Sequence, residues 1–362
     1  MALADAEAPV QQRLDAVLKP PPAAVVNWTP FFALYALLLA LPFVGIWIVY
    51  KKRRREYGYR AREVGAALFF AAPWIIGFAV FTGGPILFSI VLSFTQYDVL
   101  SPARYVGAGN YGEVLSDPLV YKSLGNTAFM LIRIPITMAI GLGIAMLLNR
   151  QLRGIGGYRT AFYMPAIVPV VASSLLWIWL LNPNIGVINQ LLDWLFHLPP
   201  ARWIESLTGL KLTAPNWLQD PAWSKPALIL MGARSAGAGM IVWLAGLQSI
   251  PQQLYEAASI DGAGNWRQFR HVTLPMLSPY ILFNFIVGII GTLQIFNEAY
   301  IMTTGGPDNS TLFYAYHLFR EAFQYFRMGY ASALAWVLFV IVLALTLLQL
   351  YLSKRWVHYD RT

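Results

Sequence analysis

The stretch EAASIDGAGNWRQFRHVTLP, residues 256–275, decides the fold. It is polar, and it lies between two apolar runs of membrane length, residues 226–247 and 279–300. It is too polar to cross a bilayer and too regular for a slack loop. Residues 251–260 read as a short helix: Pro251 suits a first helical position, Glu256, Ala257 and Ala258 favour helix, and Gly262 and Gly264 end it. Residues 266–272 start a second short helix, which Pro275 closes. On that piece Trp266, Phe269 and Val272 or Thr273 recur at helical spacing, while Arg267, Arg270 and His271 are polar. The reading is a helix-turn-helix knuckle with an amphipathic surface, held between two spans. Such a surface docks in a groove of a soluble partner or rests on lipid, and the pattern alone leaves both open.

The knuckle resembles the EAA loop of permease subunits in binding-protein-dependent ABC importers, whose pattern runs EAA, three residues, Gly, a spacer, then Leu-Pro. Glu256, Ala257, Ala258, Gly262, Leu274 and Pro275 occupy those positions, with Asp261 before the glycine as in carbohydrate-type members of the maltose and glycerol-phosphate kind. In that family the loop is the coupling helix, which docks on an ATP-hydrolysing subunit and carries its movement into the membrane. The resemblance therefore implies a coupling surface of Glu256, Ala257, Ala258, Asp261, Gly262 and Pro275, with Glu256 facing a basic residue of the ATPase. It also implies two ATPase subunits, a second permease subunit that in carbohydrate-type systems is a related but different chain, and an extracytoplasmic substrate-binding protein. Residues 305–307, GGP just after a span, and Gly329, Tyr330 and Ala331 at the opening of the last span are similar to the same permeases. The likeness covers residue 66 to the C-terminus.

Composition agrees. Of 362 residues 57% are hydrophobic and only 12% charged, with a mean hydropathy of +0.54, which describes a polytopic membrane protein and not a water-soluble core. The formal charge of +9 invites a nucleic-acid reading, but the cations cluster at span ends, where membrane topology explains them. With no cysteine there is no thiolate metal site, disulfide or cysteine nucleophile, and His197, His271, His317 and His358 are too scattered for a zinc pair. No GxxxxGK[ST] loop is present, so ATP hydrolysis belongs to another chain. The expectation is a transport subunit that is no enzyme, with no cofactor, no metal and no nucleic-acid partner.

Taken in order, residues 31–50 form a first span, followed by the basic run Lys51, Lys52, Arg53, Arg54 and Arg55, a topogenic anchor that belongs in the cytoplasm. Further spans lie within residues 66–94, broken near Gly83, Gly84 and Pro85 so that the helix kinks or ends early, and at 127–148, 160–181, 226–247, 279–300 and from Gly329 to about Ser353. In the span at 160–181, Pro165 and Pro169 open the first turns. Residues 182–224, rich in Trp and Pro, are too long and too aromatic for idle linker and rest on the membrane interface or on a partner. The fold class is thus all-α: a polytopic helical membrane protein with about seven transmembrane helices and a cytoplasmic EAA coupling helix. Residues 1–62 form a tail, an extra span and a basic anchor; residues 63–362 form the importer transmembrane domain, with the coupling loop at 248–279. Fifteen Lys and Arg fall on the proposed cytoplasmic side, nine outside, and two, Arg133 and Arg234, within spans. That asymmetry puts the N-terminus outside and the C-terminus inside, and the resemblance implies that the membrane is a prokaryotic cytoplasmic one.

The leading function is a permease that forms half of a translocation pathway for a sugar, oligosaccharide or polyol derivative. The competing class is a secondary transporter driven by an ion gradient, for which Glu298 offers one intramembrane carboxylate but no repeat of the two halves is evident. The pathway candidates are polar groups that are costly where they sit. Met231, Arg234, Ser235 and Ala238 follow i, i+3, i+4, i+7 and share a helical face, so Arg234 faces inward. On the next span Phe296, Asn297 and Glu298 lie near the external end, with Asn284, Gly288 and Gly291 below them. Asn297 suits a hydroxyl and Phe296 a sugar ring. Arg234 either pairs with Glu298 or with a carboxylate of the partner permease, or it meets a negatively charged solute such as a glycerol phosphate or uronate sugar.

Overall fold

The structure is a computed structural model and describes residues 24–57, 61–150, 153–208 and 213–357. Five helices among them are long and apolar enough to cross a membrane: Thr29–Lys52, Gly65–Ser93, Pro118–Leu148, Pro221–Ser249 and Met328–Ser353. Two bent pairs, Ile155–Ile167 with Val170–Leu180 and Asn265–Met276 with Ser278–Leu293, bring the number to seven when each pair is counted as one span. Among the described residues, strand is confined to the pairing of Thr95–Gln96 with Arg104–Tyr105 and a bridge from Val25 to Arg104. By contacts, the chain divides into two compact units, Met1–Ser116 with Phe319–Trp336, and Asp117–Leu318 with Val337–Thr362.

In the first unit the glycines and proline at residues 83–85 do not end their helix. A π-helical turn, Ala79–Gly83, takes up the missing hydrogen bond, and Gly84–Ser93 continues with its proline in the first turn, where no N–H is needed. The Tyr35 hydroxyl of the first helix donates to the carbonyl of Ala79 in that turn at 2.5 Å, and Trp28 lies on Phe88 with ring centroids 4.9 Å apart. The extra first span is therefore packed on the second. Beyond Ser93 the chain forms a small antiparallel ribbon. Residues 24–26 join it, the Val26 N–H bonding the Ala103 carbonyl at 2.9 Å and the Tyr105 N–H that of Ala24 at 3.2 Å. Asn110 donates to the carbonyls of Ser93 and Thr95, both at 2.9 Å. Arg327, just before the last span, bridges Glu113 and Glu321. Burial alone would lower its pKa; the hydrogen bond to Glu113 and the two carboxylate charges outweigh that and raise it.

The second unit is built on the contact between Pro118–Leu148 and Pro221–Ser249. Each of these spans starts with proline behind an aspartate cap: Asp117 accepts from the Leu119 N–H and Asp220 from the Ala222 N–H, both at 2.8 Å. Ala145, Leu148, Met240, Trp243, Leu244, Leu247, Ile250 and Leu277 form its buried core at one end. Close approach relies on small residues, as expected between helices with no water to expel. A side chain at Gly246 would meet Leu277 and Tyr280 at 2.8 and 2.9 Å.

The span expected at residues 160–181 is broken. Ile155–Ile167 and Val170–Leu180 meet at 92°. Pro169 has no N–H and pushes the residue before it out of helix, and Val168 takes φ −60°, ψ 126°. The helix Ile155–Ile167 runs beside Pro221–Ser249, its Phe162 carbonyl against Gly237, and Arg159 donates to the Leu148 carbonyl at 3.1 Å. The helix Val170–Leu180 packs on Ala299–Thr303.

Candidate coupling knuckle and translocation cleft

The knuckle forms as two helices, Gln252–Ile260 and Asn265–Met276. Pro251 sits one position earlier than expected, as the cap, with φ −60° and ψ 131°. Asp261 ends the first helix, and Gly262 turns the chain at φ +74°. No atom lies within 4 Å of where its Cβ would stand, so the glycine is required by its backbone conformation and not by space. The second helix ends one residue past Pro275, at Met276. The π turn Phe269–Thr273 accommodates the proline, and a 65° bend follows directly before Ser278–Leu293. The two arms are clamped to each other: Tyr255 and Thr273 hydroxyls lie 3.0 Å apart, and the Gln268 amide donates to Ser259 Oγ at 2.9 Å and to the Ala263 carbonyl at 3.0 Å.

Gln252–Ile260 has no buried residue. Glu256, Ala257, Asp261 and Gly262 are exposed, Ala258 and Pro275 half-buried, and the apolar Ile260 and Trp266 stand 87% and 70% exposed. The opposite face is tied inward, since Tyr255, Val272 and Met276 pack against the core that holds Trp243 and Leu277. A load on the exposed face therefore reaches the spans through side chains in contact.

A cleft of about 320 Å³ opens among the spans of this unit, lined by Arg133, Thr137, Ser235, Gly288, Gly291, Gln294, Phe296, Asn297 and Glu298 among others. Four of the expected pathway residues, Ser235, Phe296, Asn297 and Glu298, meet there. Met231 does not: it is 1% exposed in the core, and Asn284 spends its amide on the Tyr280 carbonyl at 2.8 Å. The face expected for Met231, Arg234, Ser235 and Ala238 is split because Ala233–Ser235 is a 3₁₀ turn. Three residues advancing by about 120° instead of 100° add roughly 60° of rotation, enough to separate Ser235 from Met231.

Glu298 pairs with Arg133 and not with Arg234, the Arg133 Nη1 standing 3.5 Å from its Oε1. Arg133 fills the room that Gly232 leaves, and Arg234 lies within reach of both charges, half-buried. Each of the three charged groups sits at an irregular turn: Arg133 directly after the 3₁₀ turn Met130–Ile132, Arg234 inside its own, and Glu298 directly before the π turn Ala299–Thr303. Phe296 stacks on Tyr300 at 5.3 Å and 14°. The result is a ring, amides, hydroxyls and a charge pair around one opening. Among the described residues no group of His, Asp and Glu is placed to hold a metal.

Helical spans, a clamped polar knuckle and a polar cleft define a membrane transport subunit. The chain belongs to the family described as binding-protein-dependent transport system inner membrane components, whose pattern matches residues 137–358. It is 39% identical over 296 residues to the probable ABC transporter permease protein YesP of Bacillus subtilis, covering 80% of this chain and 91% of that one. It is 36% identical over 292 residues to the lactose transport system permease protein LacF of Rhizobium radiobacter, covering 79% and 93%. Its fold resembles that of a chain in the bacterial alginate ABC transporter in complex with an alginate pentasaccharide-bound periplasmic protein, with a TM-score of 0.67 at 22% identity over 84% of this chain and 97% of that one. Nothing in these likenesses favours the gradient-driven reading.

Proposed function

We propose that this permease forms one half of the pathway of an ATP-driven importer for a sugar, oligosaccharide or polyol derivative, with residues 63–362 as the transport body. The observation that carries the reading is the knuckle, whose helix Gln252–Ile260 buries no residue fully yet is joined to the core through Tyr255, with Val272 and Met276 beside it. Glu256, Ala257, Ala258, Asp261, Gly262 and Pro275 form the surface or the turn on which one of two ATPase subunits acts. A second, related permease completes the pathway, and an extracytoplasmic binding protein delivers the solute. In the cleft, Asn297 and Ser235 bond hydroxyls and Phe296 receives a sugar ring. The relatives' lactose and alginate support a carbohydrate cargo.

The N-terminus lies outside and the C-terminus inside. The basic run after the first span supports this orientation; the pairing of residues 24–26 with residues 103–105 is consistent with a common membrane face for the start of the first span and the loop after the second. Vesicles holding the chain with its co-purified second permease and ATPase, supplied with the binding protein, take up solute only with ATP on the cytoplasmic side; uptake driven by an ion gradient alone overturns the proposal.

One observation favours an acidic sugar within this class. Two guanidinium groups, Arg133 and Arg234, stand against the single carboxylate of Glu298. Replacing Arg234 by Gln then weakens transport of the anionic solute while assembly and basal ATP hydrolysis persist; loss of the assembled complex assigns Arg234 to holding subunits together.

A further inference from the structure

The coupling and transport readings leave one built feature unused, the helical hairpin Val187–Phe196 and Pro199–Thr208. Two anchors fix its height. The first is the turn that follows Leu180, the last residue of its helix. There Asn182 Oδ1 accepts from the N–H groups of Asn184 and Ile185 at 2.9 and 3.2 Å, and the Asn182 carbonyl accepts from the Gly186 N–H at 2.9 Å. Gly186 sits so close to the carbonyls of Leu180 and Asn182 that no Cβ fits. The hairpin thus starts against the end of one span. The second anchor is Asn189, which receives the Trp217 indole N–H at 2.6 Å and donates to the carbonyls of Pro183 and Pro215, both at 3.2 Å. Trp217 precedes Pro221, the first residue of the next span, by only four positions.

On the far side of the first helix from Asn189, Val187, Leu191, Trp194 and Leu195 recur at i, i+4, i+7 and i+8, all exposed. On the second helix Trp203 and Leu207, one turn apart, are 73% and 74% exposed. Asp193, Arg202 and Glu205 lie off these stripes. Both helices are amphipathic, their apolar faces are rich in Trp and Leu and carry no charge, and both anchors hold them level with the ends of two spans. Tryptophan concentrates at that depth in a bilayer, and helices of this kind bury their apolar side at the headgroup boundary.

We propose that the hairpin lies in the lipid interface at which those two spans end, with Val187, Leu191, Trp194, Trp203 and Leu207 immersed in the headgroup and acyl boundary. It would brace the turn between the broken span and the cleft-lining span against the bilayer.

The chain has no cysteine, so single spin labels are clean. The full chain is reconstituted in nanodiscs of phosphatidylethanolamine and phosphatidylglycerol with Trp194→Cys, Trp203→Cys, Leu207→Cys, Asp193→Cys or Arg202→Cys. Labels at 194, 203 and 207 collide several-fold more with oxygen than with a water-soluble nickel chelate, and labels at 193 and 202 show the reverse. High nickel access at all five positions overturns the proposal in favour of a free aqueous surface. Low access to both reagents at 194 and 203 also overturns it, in favour of a protein-covered one. Because a label can disturb the hairpin, a second measurement uses the native side chain: brominated lipid quenches the fluorescence difference between the unmodified chain and Trp203→Phe. Absence of that quenching, with acrylamide quenching instead, contradicts lipid contact.

Discussion

Glu298 is the residue on which the cleft's electrostatics turn. An arginine at mid-membrane depth costs about 2.5–3.5 kcal/mol on insertion scales unless it is paired or wetted, and Arg133 meets Glu298 at 3.5 Å. Removing one partner of a buried pair costs roughly 3–5 kcal/mol in water-soluble proteins; the open cleft reduces that here. Glu298→Gln is therefore expected to lower the melting temperature in detergent, and Arg133→Gln with Glu298→Gln to recover part of the loss, because one of the two arginines, Arg234, is then left beside the cleft without Glu298 instead of both. An additive double variant would show that the two do not interact. The pairing was hard to read from sequence. Arg133 was visible as one of two cations inside spans, but it stands 165 positions from Glu298, and Arg234, closer along the chain, was the natural partner. The glycine that admits Arg133, Gly232, declares itself only in three dimensions. Met231 was misplaced for a related reason: an unbroken helical period takes no account of a 3₁₀ turn.

Among elements, the knuckle was the most legible, because caps, glycine and helix formers all act locally. Gly262 adopts the left-handed conformation that its position demands. Two prolines are instructive. From sequence Pro169 reads as a first-turn residue but breaks its helix at 92°, and Pro275 reads as a terminator and stands one residue before the helix end, with a π turn ahead of it. Hydropathy sees neither, because both outcomes have the same composition. The clamp between the arms leads to a prediction at this scale. Tyr255→Phe deletes the hydroxyl contact to Thr273, worth ~1 kcal/mol, while retaining the ring that packs on the core. Solute-stimulated ATP hydrolysis is expected to fall while expression and basal hydrolysis hold. An unchanged response would mean that the clamp does not transmit load.

For the whole molecule, the seven spans were legible from apolar run lengths, since the bilayer sets them. The two-unit division was not, because it joins residues 319–336 to the first 116 through contacts between distant segments. The proposed orientation is checked by single cysteines: an impermeant thiol reagent from outside should label Ala24→Cys and Gln190→Cys and spare Lys52→Cys and Asn265→Cys. The reverse pattern would place the knuckle outside, away from ATP. The central claim is that this knuckle converts ATP hydrolysis in a partner into movement of the spans. The most direct measurement is ATP hydrolysis by the purified complex in proteoliposomes, with and without solute-loaded binding protein, for the unmodified chain, Glu256→Lys and Gly262→Val. Stimulation is expected in the unmodified complex and should be lost in both variants, with the chain still inserted in the membrane. Full stimulation in both would contradict the account.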